Sequence, residues 1–114
     1  MAVYFFTASA KKLLEDFDSR IAQKEAKGKI ETWEKVGDYY THKADAWAKK
    51  AWFKTTVSDD RLKFNIYPSK DQKVSVIAYG YYHGHLIETF LNHFDNSFTS
   101  GSATANAKDG DHVG

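Results

Sequence analysis

Five histidines, His42, His83, His85, His93 and His112, are the side chains of this 114-residue chain best suited to moving protons or binding a metal near neutral pH. His83-Gly84-His85 has the H-x-H spacing of some strand-borne metal sites. On a helix the same two rings point about 200° apart and cannot share an ion. His85 and Glu88 share a helix face at i,i+3 and resemble half of a carboxylate–histidine metal site, but no second half follows. They are the metal candidates, and the expectation is that the chain holds neither a metal nor a cofactor. His83 is the catalytic candidate, because a helical wheel sets it among apolar neighbours. There its ring is expected to be a neutral group satisfied by a strand carbonyl and a tyrosine hydroxyl. The sharper reading makes it a proton carrier in a cleft lined by Tyr79, Tyr82 and Trp33 or His42. No nucleophile elbow, paired carboxylates or phosphate cradle accompanies it. A small histidine-dependent enzyme is therefore the second alternative, with no catalytic residue assigned.

The rings point elsewhere. Three tryptophans, seven tyrosines and eight phenylalanines make the chain 16% aromatic, more than a core of this size needs to absorb. Tyrosine and tryptophan concentrate binding energy at interfaces. The leading expectation is a non-catalytic interaction or regulatory module, binding a protein through Tyr39, Trp47, Tyr81 and Tyr82. A second copy of the chain, in a homodimer, would fit the same surface. The alternative is a platform for single-stranded nucleic acid made of Trp52, Lys54, Arg61, Lys63 and Tyr67, with Asn65 beside them. Exposed rings stack on bases while cations track phosphates. Arg61 to Tyr67 lacks the glycines of an RRM-type strand motif, and alternating lysines on a strand also serve to prevent aggregation.

These residues need elements to hold them. Val3 to Thr7 reads as a strand buried on both faces. A helix follows with Ser9 as N-cap, an apolar stripe of Leu13, Leu14, Phe17 and Ile21, an Asp16–Arg20 pair and Gly28 as C′ residue. Ile30 to His42 reads as a hairpin turning at Gly37-Asp38. That turn pairs Val36 with Tyr39, Lys35 with Tyr40 and Trp33 with His42, so Trp33, Tyr40 and His42 share a face. Asp45 caps a short turn leading to a second hairpin. In that hairpin Leu62, Phe64 and Ile66 alternate with Arg61, Lys63, Asn65 and Tyr67.

A two- or four-residue loop near Ser58-Asp59-Asp60 sets Phe53, Thr55 and Val57 beside the apolar row and leaves Trp52 and Lys54 outside. A three-residue loop buries Trp52 instead, and the first register is favoured because it buries fewer polar groups. Pro68 ends the strand. The last helix runs from about Ser75 to Phe94, with Val76, His83, Ile87, Phe90, Leu91 and Phe94 on its apolar side. Gly80 and Gly84 lie near that side, where they would allow close approach to a sheet. In another reading, Val74 to Tyr79 is a further strand.

The sum is an α+β domain over residues 1–97. It has a mostly antiparallel sheet of about five strands, in the order β-α-β-β-β-β-α, with two helices on one face. Residues 98–114 read as a flexible tail.

With no cysteine, disulfide scaffolds, thiolate metal sites and cysteine nucleophiles are excluded. Net charge is +1, too small for a strong global field. Residues 1–57 carry eleven Lys/Arg against eight Asp/Glu, and residues 58–114 carry five against seven. No apolar run approaches the roughly 20 residues of a membrane span, and no signal peptide is evident, so the expectation is a cytoplasmic protein without a membrane partner.

Overall fold

The computed structural model describes residues 2–69 and 75–106. In chain order the elements are β1 (Ala2–Phe6), α1 (Ala10–Ala22), β2 (Trp33–Val36), β3 (Tyr39–His42), β4 (Ala51–Val57), β5 (Arg61–Pro68), α2 (Val76–Phe94) and β6 (Ser100–Ala103). The α+β class holds. All strand pairs are antiparallel, in one six-stranded sheet ordered β2-β3-β4-β5-β1-β6.

Both hairpins take the registers that their turns and alternation predict. Gly37 has φ +61°, a left-handed conformation suited to a type II′ turn, and the β2–β3 pairs are Val36–Tyr39, Lys35–Tyr40 and Trp33–His42. In the second hairpin Val57 pairs with Leu62, Phe53 with Ile66 and Trp52 with Tyr67. The Ser58 N–H bonds the Arg61 carbonyl at 2.9 Å and closes the turn over Asp59-Asp60. Phe53, Leu62, Phe64 and Ile66 are fully buried, while Trp52 and Lys54 lie on the opposite face.

Both helices contact the same side of the sheet. α1 buries Ala10, Leu13 and Phe17, with Phe17 against Tyr40, Phe64 and Phe90. Its polar details differ from expectation. Asp16 takes Lys12 rather than Arg20. Arg20 crosses instead to α2, over the Phe94 ring at 5.2 Å and donating to His93 Nδ1 at 3.2 Å. The helix ends at Ala22, before Gly28, and Ser9 makes no side-chain cap bond.

α2 begins where Ser75 accepts from the Ala78 N–H, and the helix reading holds from Val76 onward; Val74 lies outside the described residues. The buried face is Ala78, Tyr82, His83, Leu86, Thr89, Phe90 and Phe94. Val76, Ile77 and Leu91 are exposed, so the wheel drawn from sequence is rotated from the true one. A helix with apolar residues on most sides gives a weak phase, and sheet packing chooses Tyr82 and Leu86. Gly80 and Gly84 are exposed, and a Cβ added at either would meet no atom within 4 Å, so neither serves close approach.

The expected tail is corrected for residues 98–106. Ser100–Ala103 forms β6, pairing with β1 through Val3–Ala103 and Phe5–Gly101. Flanking bonds from Thr99 N–H to the Phe6 carbonyl (2.8 Å) and from Thr104 N–H to the Ala2 carbonyl (2.9 Å) extend the ladder. Phe98 packs on Phe5 and Phe90. Gly101 fits closely here: a Cβ would meet the Phe5 ring at 3.2 Å, so that ring would have to give by a few tenths of an ångström. Residues 107–114, His112 included, lie outside the described residues.

Candidate functional site

Strand alternation divides the side chains between a helix-covered face and an open one. On the open face β5 presents Arg61, Lys63, Asn65 and Tyr67, while β4 presents Trp52, Lys54 and Thr56. The register adds Tyr39 from β3 and Tyr4 and Phe6 from β1. All five residues of the single-strand platform therefore share one surface: Trp52, Lys54, Arg61, Lys63 and Tyr67. Asn65, expected beside them, is buried under its neighbours and offers little to a ligand. Tyr4 and Phe6, expected inside a doubly buried strand, are half-buried on this surface because both helices cover the other side.

Rings and cations interleave across it. Tyr39 meets Trp52 edge-on at 6.4 Å and Tyr67 at 5.6 Å between centroids. The Lys54 ammonium stands 5.8 Å from the Tyr39 ring. At the other end Tyr4 and Phe6 stack at 6.3 Å, and the Arg61 guanidinium lies 5.6 Å from each. Asp60 holds that guanidinium with contacts of 3.1 and 3.3 Å. The same contact keeps the Asp60 carboxyl below its usual range. Trp52 is fixed by its indole N–H, which donates to Ser69 Oγ at 3.2 Å, and Ser69 in turn donates to the Lys49 carbonyl. Val36, Tyr39, Trp52, Tyr67 and Pro68 line an open, shallow concavity of about 280 Å³.

The protein-binding set is not brought together. Tyr82 is fully buried, its hydroxyl bonded to Thr41 Oγ1 and the Trp47 carbonyl, so its assignment to a contact surface is corrected. Trp47 and Tyr81 stack on each other at 4.1 Å and pack against the core. Tyr39 stands on the open face, apart from both. Of ten Trp and Tyr residues, Trp33, Tyr40 and Tyr82 are buried, Trp47, Tyr79 and Tyr81 are partly buried against the core, and Tyr4, Tyr39, Trp52 and Tyr67 stand on the open face.

His83 is packed rather than displayed. Its Nδ1 lies 2.6 Å from the Tyr79 carbonyl, a partner in its own helix rather than a strand. Its ring contacts Phe53 and Tyr79. The histidines that reach a cleft are His42 and His85, a pairing with no local sequence signal. With Glu31, Thr32, Lys43, Ala44 and Glu88 they line a hollow of about 450 Å³.

The Ala44 N–H bonds His42 Nδ1 at 3.1 Å, so that nitrogen is an acceptor and the proton of neutral His42 sits on Nε2. His42 Nε2 then donates to His85 Nδ1 at 3.3 Å. Burial, reinforced by His85, lowers the His42 pKa to about 4. His85 stacks on Tyr81 at 3.9 Å, which completes a Trp47–Tyr81–His85 column. Glu88 shares the cleft with His85, yet among the described residues no group of three or more His, Asp or Glu is placed to hold a metal ion.

Other polar groups inside are structural. Tyr40 donates to Asp18, and burial together with that carboxylate pushes its hydroxyl pKa up. Trp33 Nε1 donates to Thr89 Oγ1 at 3.0 Å. Among the described residues no buried side-chain nitrogen or oxygen lacks a partner. No helix among them is long and apolar enough to cross a membrane. No protein-family model matches this chain, and neither the curated proteins nor the solved structures provide a match.

Proposed function

We propose that the open sheet face binds single-stranded nucleic acid. The observation that carries this reading is the strand register, which sets Trp52 opposite Tyr67 and gathers Lys54, Lys63 and Arg61 with the rings of Tyr39, Tyr4 and Phe6 on one uncovered surface. Stacking on rings is indifferent to sequence, whereas Lys54 and Lys63 offer charge to phosphates, Arg61 being already paired with Asp60. Two ring groups, one around Trp52 and one at Tyr4 and Phe6, stand two to three strand spacings apart and are offset by two to six residues along the strands, roughly 16–22 Å in all. That leaves room for a short stretch of splayed bases with the cations between. The small net charge of +1 means that affinity comes from this face and not from a global field.

The test is titration of the whole chain with fluorescein-labelled oligo-dT and oligo-U at several salt concentrations, followed by anisotropy. Binding is expected to weaken as salt rises. Trp52→Ala is expected to cost about 1–3 kcal/mol, roughly 5- to 150-fold. No binding of either strand at low salt overturns the reading.

A further inference from the structure

We infer that the concavity between Tyr39, Trp52 and Tyr67 is a nucleotide pocket, taking one unpaired base with its 5′-phosphate directed to Lys54. This inference rests on the strand-binding reading and names the position that anchors the strand. The volume of about 280 Å³ sits at the lower end of ligand-pocket sizes, near 300 Å³, which suits one planar ring system rather than a folded chain.

The lining is apolar and aromatic, with Val36 and Pro68 beside the three rings. Tyr39 stands at 80° to Trp52 and 79° to Tyr67. A flat guest can therefore lie on one ring and meet the edge of another, the two geometries aromatic pairs prefer. Trp52 is already oriented by its bond to Ser69, so the stacking surface is ordered before the guest arrives.

Charge selects the guest. An aromatic cage without cations would suit a quaternary ammonium. Lys54 does not line the concavity, but its ammonium stands 5.8 Å from the ring of Tyr39, which does, so a second cation entering beside Tyr39 would be repelled. A ring that carries an anion satisfies both features at once: its base stacks, and its phosphate meets Lys54. That combination is a nucleotide.

The experiment compares 5′-AMP, adenosine and ribose 5-phosphate as ligands of the full chain, with saturation-transfer NMR and intrinsic tryptophan fluorescence as readouts. AMP is expected to bind about two- to fivefold tighter than adenosine, the range of one exposed ionic contact. Ribose 5-phosphate is expected to give no signal. Lys54→Ala is expected to bring AMP down to the adenosine level and leave adenosine unchanged. Trp52→Ala is expected to weaken both by roughly 5- to 150-fold, with far-UV circular dichroism confirming that the variant is folded. Ribose 5-phosphate binding as well as AMP, AMP binding indifferent to Trp52→Ala, or no AMP binding each overturns the pocket. If oligonucleotides bind while AMP does not, the platform stands without it. If AMP binds while no strand does, the pocket stands and the strand-binding reading fails.

Discussion

The two faces of the sheet are built from the same strands, yet they use aromatic rings in opposite ways. On the covered face Phe5, Phe17, Phe53, Phe64 and Phe90 pack ring against ring, with centroids 4.1 to 6.0 Å apart. Polar groups there are tied off, as in Trp33–Thr89 and Tyr82–Thr41. On the open face the rings meet cations and solvent, and no helix covers them. Alternation at period two is enough to produce both faces from one sequence. The covered side invests its rings in folding, while the open side keeps them accessible.

The largest effect that would break this contrast is on stability. Phe64→Ala is expected to cost about 3–5 kcal/mol by denaturant unfolding, because Phe64 is fully buried against Phe5, Phe17, Phe53 and Phe90 and the cavity cannot collapse easily. Trp52→Ala, on the open face, is expected to cost about 1 kcal/mol or less. Equal losses would mean that the open-face rings are structural after all, and the division of labour would fail.

A second measurement probes the border between the faces, where β3 ends beside α2. The His42 pKa is lowered from 6.5 to about 4 in the folded chain. The unfolded chain therefore binds the extra proton first as pH falls. Stability is expected to be full above about pH 6.5 and to decline between there and pH 4, by at most about 3 kcal/mol. The geometry sharpens the argument. Protonating His42 Nδ1 sets it against the Ala44 N–H, so adding the proton disrupts the chain of bonds that ends on His85. His42→Asn keeps an acceptor for the Ala44 N–H and removes the titration. The variant is expected to show a flatter stability curve between pH 4 and 6.5; an unchanged slope would assign the acid sensitivity to other groups.

A smaller loss is expected from Tyr82→Phe, about 1–3 kcal/mol. It strips the hydroxyl from Thr41 and from the Trp47 carbonyl while retaining the ring. Thermal unfolding measures it, and a neutral result would mean that solvent reaches those groups.

These contrasts show why some parts of the molecule were legible in the sequence and others were not. Where a turn and a strand period act together, as at Gly37-Asp38 and along Arg61 to Tyr67, local chemistry dictates register, and the faces of Trp33, Tyr40, Phe53 and Trp52 follow. The phase of α2 was not legible, because Val76, Ile77 and Leu91 add apolar residues to faces that the sheet does not use. β6 was hidden for a different reason. Ser-Gly-Ser-Ala carries no hydrophobic period, and this edge strand is held by backbone bonds to β1 and by the Phe98 anchor. The open face was half legible. Its β4 and β5 residues come from one hairpin, but Tyr4, Phe6 and Tyr39 join them only through the sheet order, which no local pattern encodes. The His42–His85 contact spans 43 residues and has no local mark either.

The smallest effect separates a binding face from an inert one. Lys63 lies on β5 opposite Tyr4 on one side and Thr56 on the other, between the two ring groups. Neither neighbour is an acid, so Lys63→Gln is expected to change stability by no more than about 0.5 kcal/mol. If a strand crosses the sheet from the Trp52 group to the Tyr4 group, a phosphate must pass near this ammonium. Removing the charge would then reduce the slope of log affinity against log salt by about 1, with roughly the same loss for every sequence. An unchanged slope together with intact binding would route the strand around the middle of the sheet. The cations would then be solubilising side chains, and only the rings would carry recognition.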